Sequence, residues 1–96
     1  MNITVCIGGN KTISGSRLGV KLAETLQTQG NNTNIFAAKG QANTWTNIPS
    51  KEYTSLTSTK TLAGWFTKNK SNAVISIMNF RACEAAILAG LPFVYV

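Results

Sequence analysis

The chain has 96 residues, 44% of them hydrophobic, which is enough for one compact core but not for two. Nine Lys and Arg residues against three Glu residues give a net charge of +6. The basic residues are scattered, so nucleic acid is not an expected partner, whereas an anionic lipid surface or a phosphorylated ligand stays open. The apolar runs are strand-sized and no secretory leader is recognisable, so we predict no membrane span and a cytoplasmic location.

The first part of the chain predicts a strand followed by a helix. Residues 1–7 are almost continuously apolar, as in a strand buried on both faces. Residues 17–29 have helical periodicity, with an apolar stripe made of Leu18, Leu22, Ala23 and Leu26. Ser14 or Ser16 is expected to cap this helix, and Gly30 to end it.

The middle of the chain is less regular. Residues 34–38 predict a second strand, parallel to the first through a right-handed crossover. A third strand is expected over residues 45–48, ended by Pro49, and the Ser/Thr-rich segment after it is either loop or weak helix. A helix is predicted over residues 59–69, because Leu62, Trp65 and Phe66 are spaced i, i+3 and i+4. These side chains are expected to belong to the core.

The last third repeats the strand and helix alternation. Residues 72–78 predict a buried strand, Asn79 is a suitable N-cap, and residues 80–89 form a helix of small residues. Gly90 and Pro92 end that helix, and a last strand occupies residues 92–96.

This alternation predicts an α/β fold, a Rossmann-like doubly wound parallel sheet with strand order 3-2-1-4-5. Residues 1–96 form one domain, and no internal repeat or linker divides it. The last strand has no following helix to cover it, so we expect a truncated domain, the N-terminal part of a larger protein. The exposed edge is also expected to make this fragment self-associate.

A glycine-rich turn follows the first strand. Glycines let backbone N–H groups approach an anion at a helix N-terminus, so this turn is a candidate acceptor-binding or phosphate-binding loop. It matches neither the dinucleotide fingerprint nor a P-loop, and a turn without a ligand is an equally open reading. The candidate loop residues are Gly8, Gly9, Asn10, Lys11, Gly15 and Ser16.

Groups for acid-base chemistry are scarce, since the chain has no His and no Asp. Of its three carboxylates, Glu24 and Glu52 are expected at the surface. The side chains that start the helix over 80–89 are candidates for lining a cleft, namely Asn79, Arg81 and Glu84. Complementing the helix dipole is an alternative role for Glu84, as solvation is for Arg81.

No catalytic residue, metal ligand or cofactor follows from the sequence. Triad chemistry is excluded because no His is present to serve as a base. Cys6 and Cys83 lack metal-ligand spacing and are expected to be buried free thiols.

The segments described above resemble the N-terminal, acceptor-side domain of GT-B fold glycosyltransferases, especially the peptidoglycan N-acetylglucosaminyltransferase and the macrolide-type enzymes. The resemblance covers nearly all 96 residues. It includes the opening strand into Gly8-Gly9, the Leu-rich helix ending at Gln29-Gly30 and residues 34–38. Its most specific part is residues 72–77 (Asn-Ala-Val-Ile-Ser-Ile) followed by 89–94 (Ala-Gly-Leu-Pro-Phe-Val).

The resemblance implies a sugar acceptor as partner, with the loop over 9–16 and the turn over 78–81 bordering its cleft. It also implies a nucleotide-sugar donor bound by a second domain that these residues lack, so the chain alone is expected to be inactive. The family often places a catalytic His or Asp on such loops, and neither residue type occurs here. Two other classes remain: a flavin- or nucleotide-binding module, and a non-enzymatic interaction protein.

Overall fold

The fold is an open α/β sheet, seen in a computed structural model that describes residues 1–8, 13–38 and 47–96. These ranges contain the strands β1 (Asn2–Ile7), β2 (Asn32–Ala38), β3 (Ser50–Tyr53), β4 (Ala73–Ile77) and β5 (Phe93–Tyr95). They also contain the helices α1 (Ile13–Thr28), α2 (Thr59–Lys68) and α3 (Phe80–Leu88). Within the same ranges, no helix has the length and apolarity needed to cross a membrane.

The five strands form one parallel sheet in the order β3-β2-β1-β4-β5, which confirms the predicted fold class and strand order. β1 lies at the centre, where Val5 pairs with Ile35 of β2 and with Ile75 of β4. This position explains its sequence, because a central strand is covered on both faces and has no solvent side to require polar alternation.

The helices lie on both faces of the sheet and divide the core in two. On one face, α2 and α3 cover residues such as Cys6, Phe36 and Val74. The predicted core role of the α2 side chains is confirmed, since Leu62 and Phe66 are fully buried and the Phe66 ring stacks on Phe36 at 5.8 Å.

The second face is covered by α1, and here the predicted apolar stripe is partly wrong. Val20 and Ala23 are buried against the strands, whereas Leu18 is 43% exposed. The close approach of α1 explains the shift, since a Cβ added to Gly19 would lie 2.6 Å from Cγ1 of Ile7. The helix therefore contacts the sheet through Gly19 and its small neighbours.

The predicted boundaries differ most from the structure at the third strand and at the start of the first helix. The third strand is β3, which begins after Pro49, whereas Ile48 lies in a bend and residues 45 and 46 are outside the described part. α1 begins at Ile13, four residues earlier than predicted, so Ser14 and Ser16 lie inside the helix instead of capping it.

The predicted helix ends at Gly30 and Gly90 are confirmed, and the prediction of buried free thiols is confirmed for Cys6. Gly30 and Gly90 both have positive φ, 96° and 71°, which lets each reverse the chain after its helix. Neither cysteine forms a disulfide, and Cys6 is buried as expected, but Cys83 is only partly buried.

The two edges of the sheet differ in chemistry. β3 exposes Ser50, Lys51 and Glu52, and the Lys51 Nζ lies 4.0 Å from the centre of the Trp65 ring. β5 exposes only apolar and aromatic side chains, Phe93, Val94 and Tyr95. Charged edges are a common protection against strand pairing, and β3 carries such charges whereas β5 carries none of its own.

Candidate functional site

The candidate site lies at the carboxyl edge of the sheet, between the ends of β1 and β4. The chain leaves β1 towards α1 on one face and leaves β4 towards α3 on the other. The strand order therefore reverses between β1 and β4, which is where sheets of this type form a ligand crevice, and the position at Gly8 and Met78 is the candidate crevice. In open parallel sheets, ligands bind at this point of strand-order reversal.

Gly8 closes the floor of this crevice. Its N–H donates to the Ile77 carbonyl at 2.7 Å, which continues the pairing of β1 with β4 by one step. A Cβ at this position would lie 2.8 Å from the Ile77 oxygen and closer still to the carbonyl oxygen of Met78. Glycine is thus required here by close backbone contact.

Asn79 and Tyr53 form a buried polar connection beneath the crevice. The Tyr53 hydroxyl donates to the Ile7 carbonyl and accepts from Nδ2 of Asn79, 2.8 Å away. The Asn79 Oδ1 accepts from the Ala82 N–H at 3.2 Å, so Asn79 is the N-cap of α3 as predicted. One hydroxyl from β3 thereby joins the end of β1 to the start of α3.

Burial raises the pKa of two groups at this connection, the Tyr53 hydroxyl and the Cys6 thiol. Desolvation, with a smaller contribution from the nearby Cys6 and an opposing one from Arg81, raises the pKa of Tyr53 to about 12. Burial, with a smaller effect of Cys83, also raises the pKa of the Cys6 thiol far above its ordinary value. Both groups therefore stay neutral at physiological pH, where Tyr53 acts as a hydrogen-bonding group.

Arg81 holds the turn that follows β3. Its Nη1 lies 2.8 Å from the Thr57 carbonyl and 3.4 Å from the carbonyls of Thr54 and Ser55. These contacts fix the turn over residues 54–57 beside the first turn of α3. They give Arg81 a structural role that the sequence did not suggest, while ligand contact by the same side chain stays a prediction.

The other predicted site residues are either outside the described part of the chain or on the helices α1 and α3. Gly9, Asn10 and Lys11 lie outside the described residues, and Gly15 and Ser16 belong to the first turn of α1. Glu84 is exposed on α3, on the side away from the buried Ala82, Ala85 and Ala86. The structure therefore brings Gly8 against the Met78 backbone, next to Asn79. Arg81 instead contacts the turn over 54–57, and Glu84 is on the outer side of the same helix.

Tyr53 is the site residue that the sequence reasoning missed. It ends a strand whose other residues, Ser50, Lys51 and Glu52, are polar and exposed, so no apolar pattern indicated that the strand exists. A single aromatic residue between polar ones is the only local signal, and it is weak.

Backbone groups and the cap of α3 make up the described part of the candidate site. In the described part of the chain, no three His, Cys, Asp or Glu side chains are grouped as metal ligands would be. The crevice offers backbone groups, the cap of α3 and the exposed Met78, which has a φ of 53°. A second, shallow depression lined by Gln27, Thr28 and Asn47 lies at the C-terminal end of α1, far from this edge.

The fold and the position of the crevice define a Rossmann-like, doubly wound α/β domain. The structure is similar to the crystal structure of MurG from Acinetobacter baumannii, with a TM-score of 0.79 and 19% sequence identity. The similarity covers 98% of this chain but 34% of MurG, so the chain spans about a third of that protein. No protein-family model and no curated protein sequence matches the chain. The match confirms the fold that the resemblance to GT-B enzymes implied.

Proposed function

We propose that the chain is the acceptor-side part of a glycosyltransferase that transfers a sugar from a nucleotide-sugar donor. The similarity to MurG, a GT-B peptidoglycan N-acetylglucosaminyltransferase, over 98% of the chain is the observation that carries the proposal. The crevice between β1 and β4 supports it, because this is where an α/β sheet of this topology binds its ligand.

In this proposal, the 96 residues bind the acceptor, and other residues or another chain bind the donor. The carboxyl ends of β1 and β4 form the acceptor crevice, and Gly9, Asn10 and Lys11, which follow Gly8 in sequence, are proposed to contact the acceptor. The chain contains no His and no Asp, and its three Glu residues are exposed on α1, on β3 and on the outer side of α3, so in this proposal the base for the acceptor hydroxyl comes from elsewhere. The isolated chain therefore binds without turning over.

A titration of the isotopically labelled chain, followed by NMR, tests this assignment. The probes are a muramyl peptide as acceptor analogue, UDP-N-acetylglucosamine as donor and flavin mononucleotide. The acceptor analogue should shift the backbone amides of Gly8, Met78 and Asn79 in a saturable way, and the other two should leave them unchanged.

Two glycine variants provide a matched comparison. Gly8→Ala adds a methyl group inside the crevice, whereas Gly64→Ala adds one on the exposed side of α2, where nothing lies within 4 Å. Acceptor shifts should weaken in the first variant and persist in the second. Should Gly8→Ala unfold, the positions of the shifts in the native chain still decide the question.

Saturable shifts at the crevice with flavin mononucleotide, and none with the acceptor analogue, would contradict the proposal and favour the nucleotide-binding alternative. The absence of any crevice shift with all three probes at millimolar concentration would count against an acceptor site as well.

A further inference from the structure

We propose that Tyr53 is a positioning residue of the candidate crevice. Through Asn79, its hydroxyl holds Met78 in a left-handed backbone conformation, and this conformation keeps the carboxyl end of β4 in the shape that binds the acceptor. The inference rests on the proposed function and adds to it the residue that maintains the binding conformation. Tyr53 ends the edge strand β3, and the strands β2 and β1 lie between it and β4.

Met78 has a backbone conformation that its surroundings must maintain. Its φ of 53° lies in the left-handed region, which is uncommon for a residue with a side chain and costs free energy. In this conformation the Met78 carbonyl lies against Gly8, where an added Cβ would overlap it. The conformation of Met78 therefore determines where the backbone of β4 ends beside Gly8, at the centre of the candidate crevice.

The residues on both sides of Met78 are fixed. Before it, the Ile77 carbonyl accepts from the N–H of Gly8 at 2.7 Å, which anchors Ile77 in the sheet. After it, Asn79 is held by two side-chain hydrogen bonds, in which Ser76 Oγ donates to its carbonyl at 2.5 Å and its own Nδ2 donates to the Tyr53 hydroxyl at 2.8 Å. The three side chains that form these bonds are buried, so water competes little for them.

Tyr53 provides the long-range part of this support. The bond from Ser76 lies within the turn and can move with it, whereas the Tyr53 ring is buried in the core and its hydroxyl donates to the Ile7 carbonyl at the end of β1. Without the hydroxyl, Asn79 keeps its capping bond to α3 but loses the tie to the sheet. Met78 should then exchange between left-handed and other conformations, and a ligand that binds one of them binds more weakly in proportion to its population.

The conformation of Met78 can be measured without any ligand. The amide hydrogen and Hα of one residue are closer at positive φ than at negative φ, so the NOE between them should be strong for Met78 in the native chain. Tyr53→Phe and Asn79→Ser should each reduce this NOE to about half or less, as expected for a mixed population. Serine keeps the N-cap of α3, but its shorter side chain does not reach the Tyr53 hydroxyl.

Ser71→Ala is the matched control. It removes another buried hydrogen bond, between the hydroxyls of Ser71 and Thr4 at 2.6 Å, which lies towards the amino ends of β1 and β4. The control should lower stability in urea, as Tyr53→Phe does, but leave the Met78 NOE unchanged. A loss of the NOE in all three variants would mean that general destabilisation moves Met78, and it would overturn the inference.

Titration with the muramyl peptide links this conformation to binding. The dissociation constant should rise by about threefold or more in Tyr53→Phe and in Asn79→Ser, with no further rise in the double variant, and should stay unchanged in Ser71→Ala. An unchanged Met78 NOE in Tyr53→Phe and Asn79→Ser would overturn the inference whether or not the native chain binds the peptide. A reduced NOE with an unchanged dissociation constant would overturn it too. A native chain that does not bind the peptide would count against the proposed function, because the NOE requires no ligand.

Discussion

Removing the Tyr53 hydroxyl should destabilise the chain by an amount that its buried partners determine. Tyr53→Phe keeps the ring in the core but takes away the donor to the Ile7 carbonyl and the acceptor for Asn79 Nδ2. A buried polar group left without its partner costs about 1–3 kcal/mol. Each kcal/mol lowers the melting temperature of a domain of this size by roughly 4–8 °C.

Urea unfolding of four proteins measures the effect: the native chain, Tyr53→Phe, Asn79→Ala and the double variant. The two single changes should not add, because both break the same hydrogen bond, and a coupling of about 0.5–3 kcal/mol is typical of residues in contact. Tyr95→Phe is the matched control, since that hydroxyl belongs to a half-exposed residue, and its effect should be close to zero.

The same hydroxyl predicts a loss of stability in alkali. The pKa of Tyr53 is raised by burial from 10 in the unfolded chain to about 12 in the folded one. Between these values the unfolded chain releases the proton and the folded chain keeps it, so stability is complete below pH 10 and falls as the pH rises towards 12. Tyr53→Phe should remove this part of the pH dependence.

Two results would refute the reasoning about Tyr53. One is a change of less than 0.5 kcal/mol on Tyr53→Phe, a size usual for surface substitutions. The other is strict additivity with Asn79→Ala, which would mean that the two side chains do not share a hydrogen bond.

Three further outcomes are expected. Gly8→Ala should lower the free energy of unfolding, measured in urea, by about 1–3 kcal/mol, because its Cβ meets backbone oxygens. Gly64→Ala should raise it by about 0.5–1 kcal/mol. Equal effects of the two variants would contradict the close contact at Gly8. A thiol reagent should modify the partly buried Cys83 in the folded chain and Cys6 only after unfolding, and simultaneous reaction of both would refute the burial of Cys6. The isolated chain should consume no sugar nucleotide above an enzyme-free blank, and measurable turnover would contradict the proposed division between acceptor and donor parts.

Much of the fold was predictable because its signals are local. The Asn79 cap, Gly30 and Gly90 all mark element ends where the structure has them. β3 was misplaced because an edge strand with three exposed residues has no apolar pattern, and Ile48, the apolar residue nearby, lies in a bend. The start of α1 was missed because Gly15 and Ser16 are typical of turns, although the structure has them in the helix.

The candidate site was less predictable, because its contacts join residues that are distant in sequence. Asn79 was expected to line a cleft, but its amide group is used by Tyr53, 26 residues away, and by the cap of α3. Arg81 contacts a turn 24 to 27 residues earlier. Such pairs depend on the sheet order, which brings β3 and β4 to either side of β1 and β2, and no local pattern contains that information.

The central position of β1 also sets the order in which the sheet is completed during synthesis. Asn2 is bonded to Asn32 on one side, 30 residues later, and to Asn72 on the other, 70 residues later. β1 therefore leaves the ribosome long before its second neighbour exists, and an apolar strand stays open on one side until about 70 further residues have been added. Because such long-range pairing slows folding, the nascent chain is expected to need chaperone protection until β4 emerges.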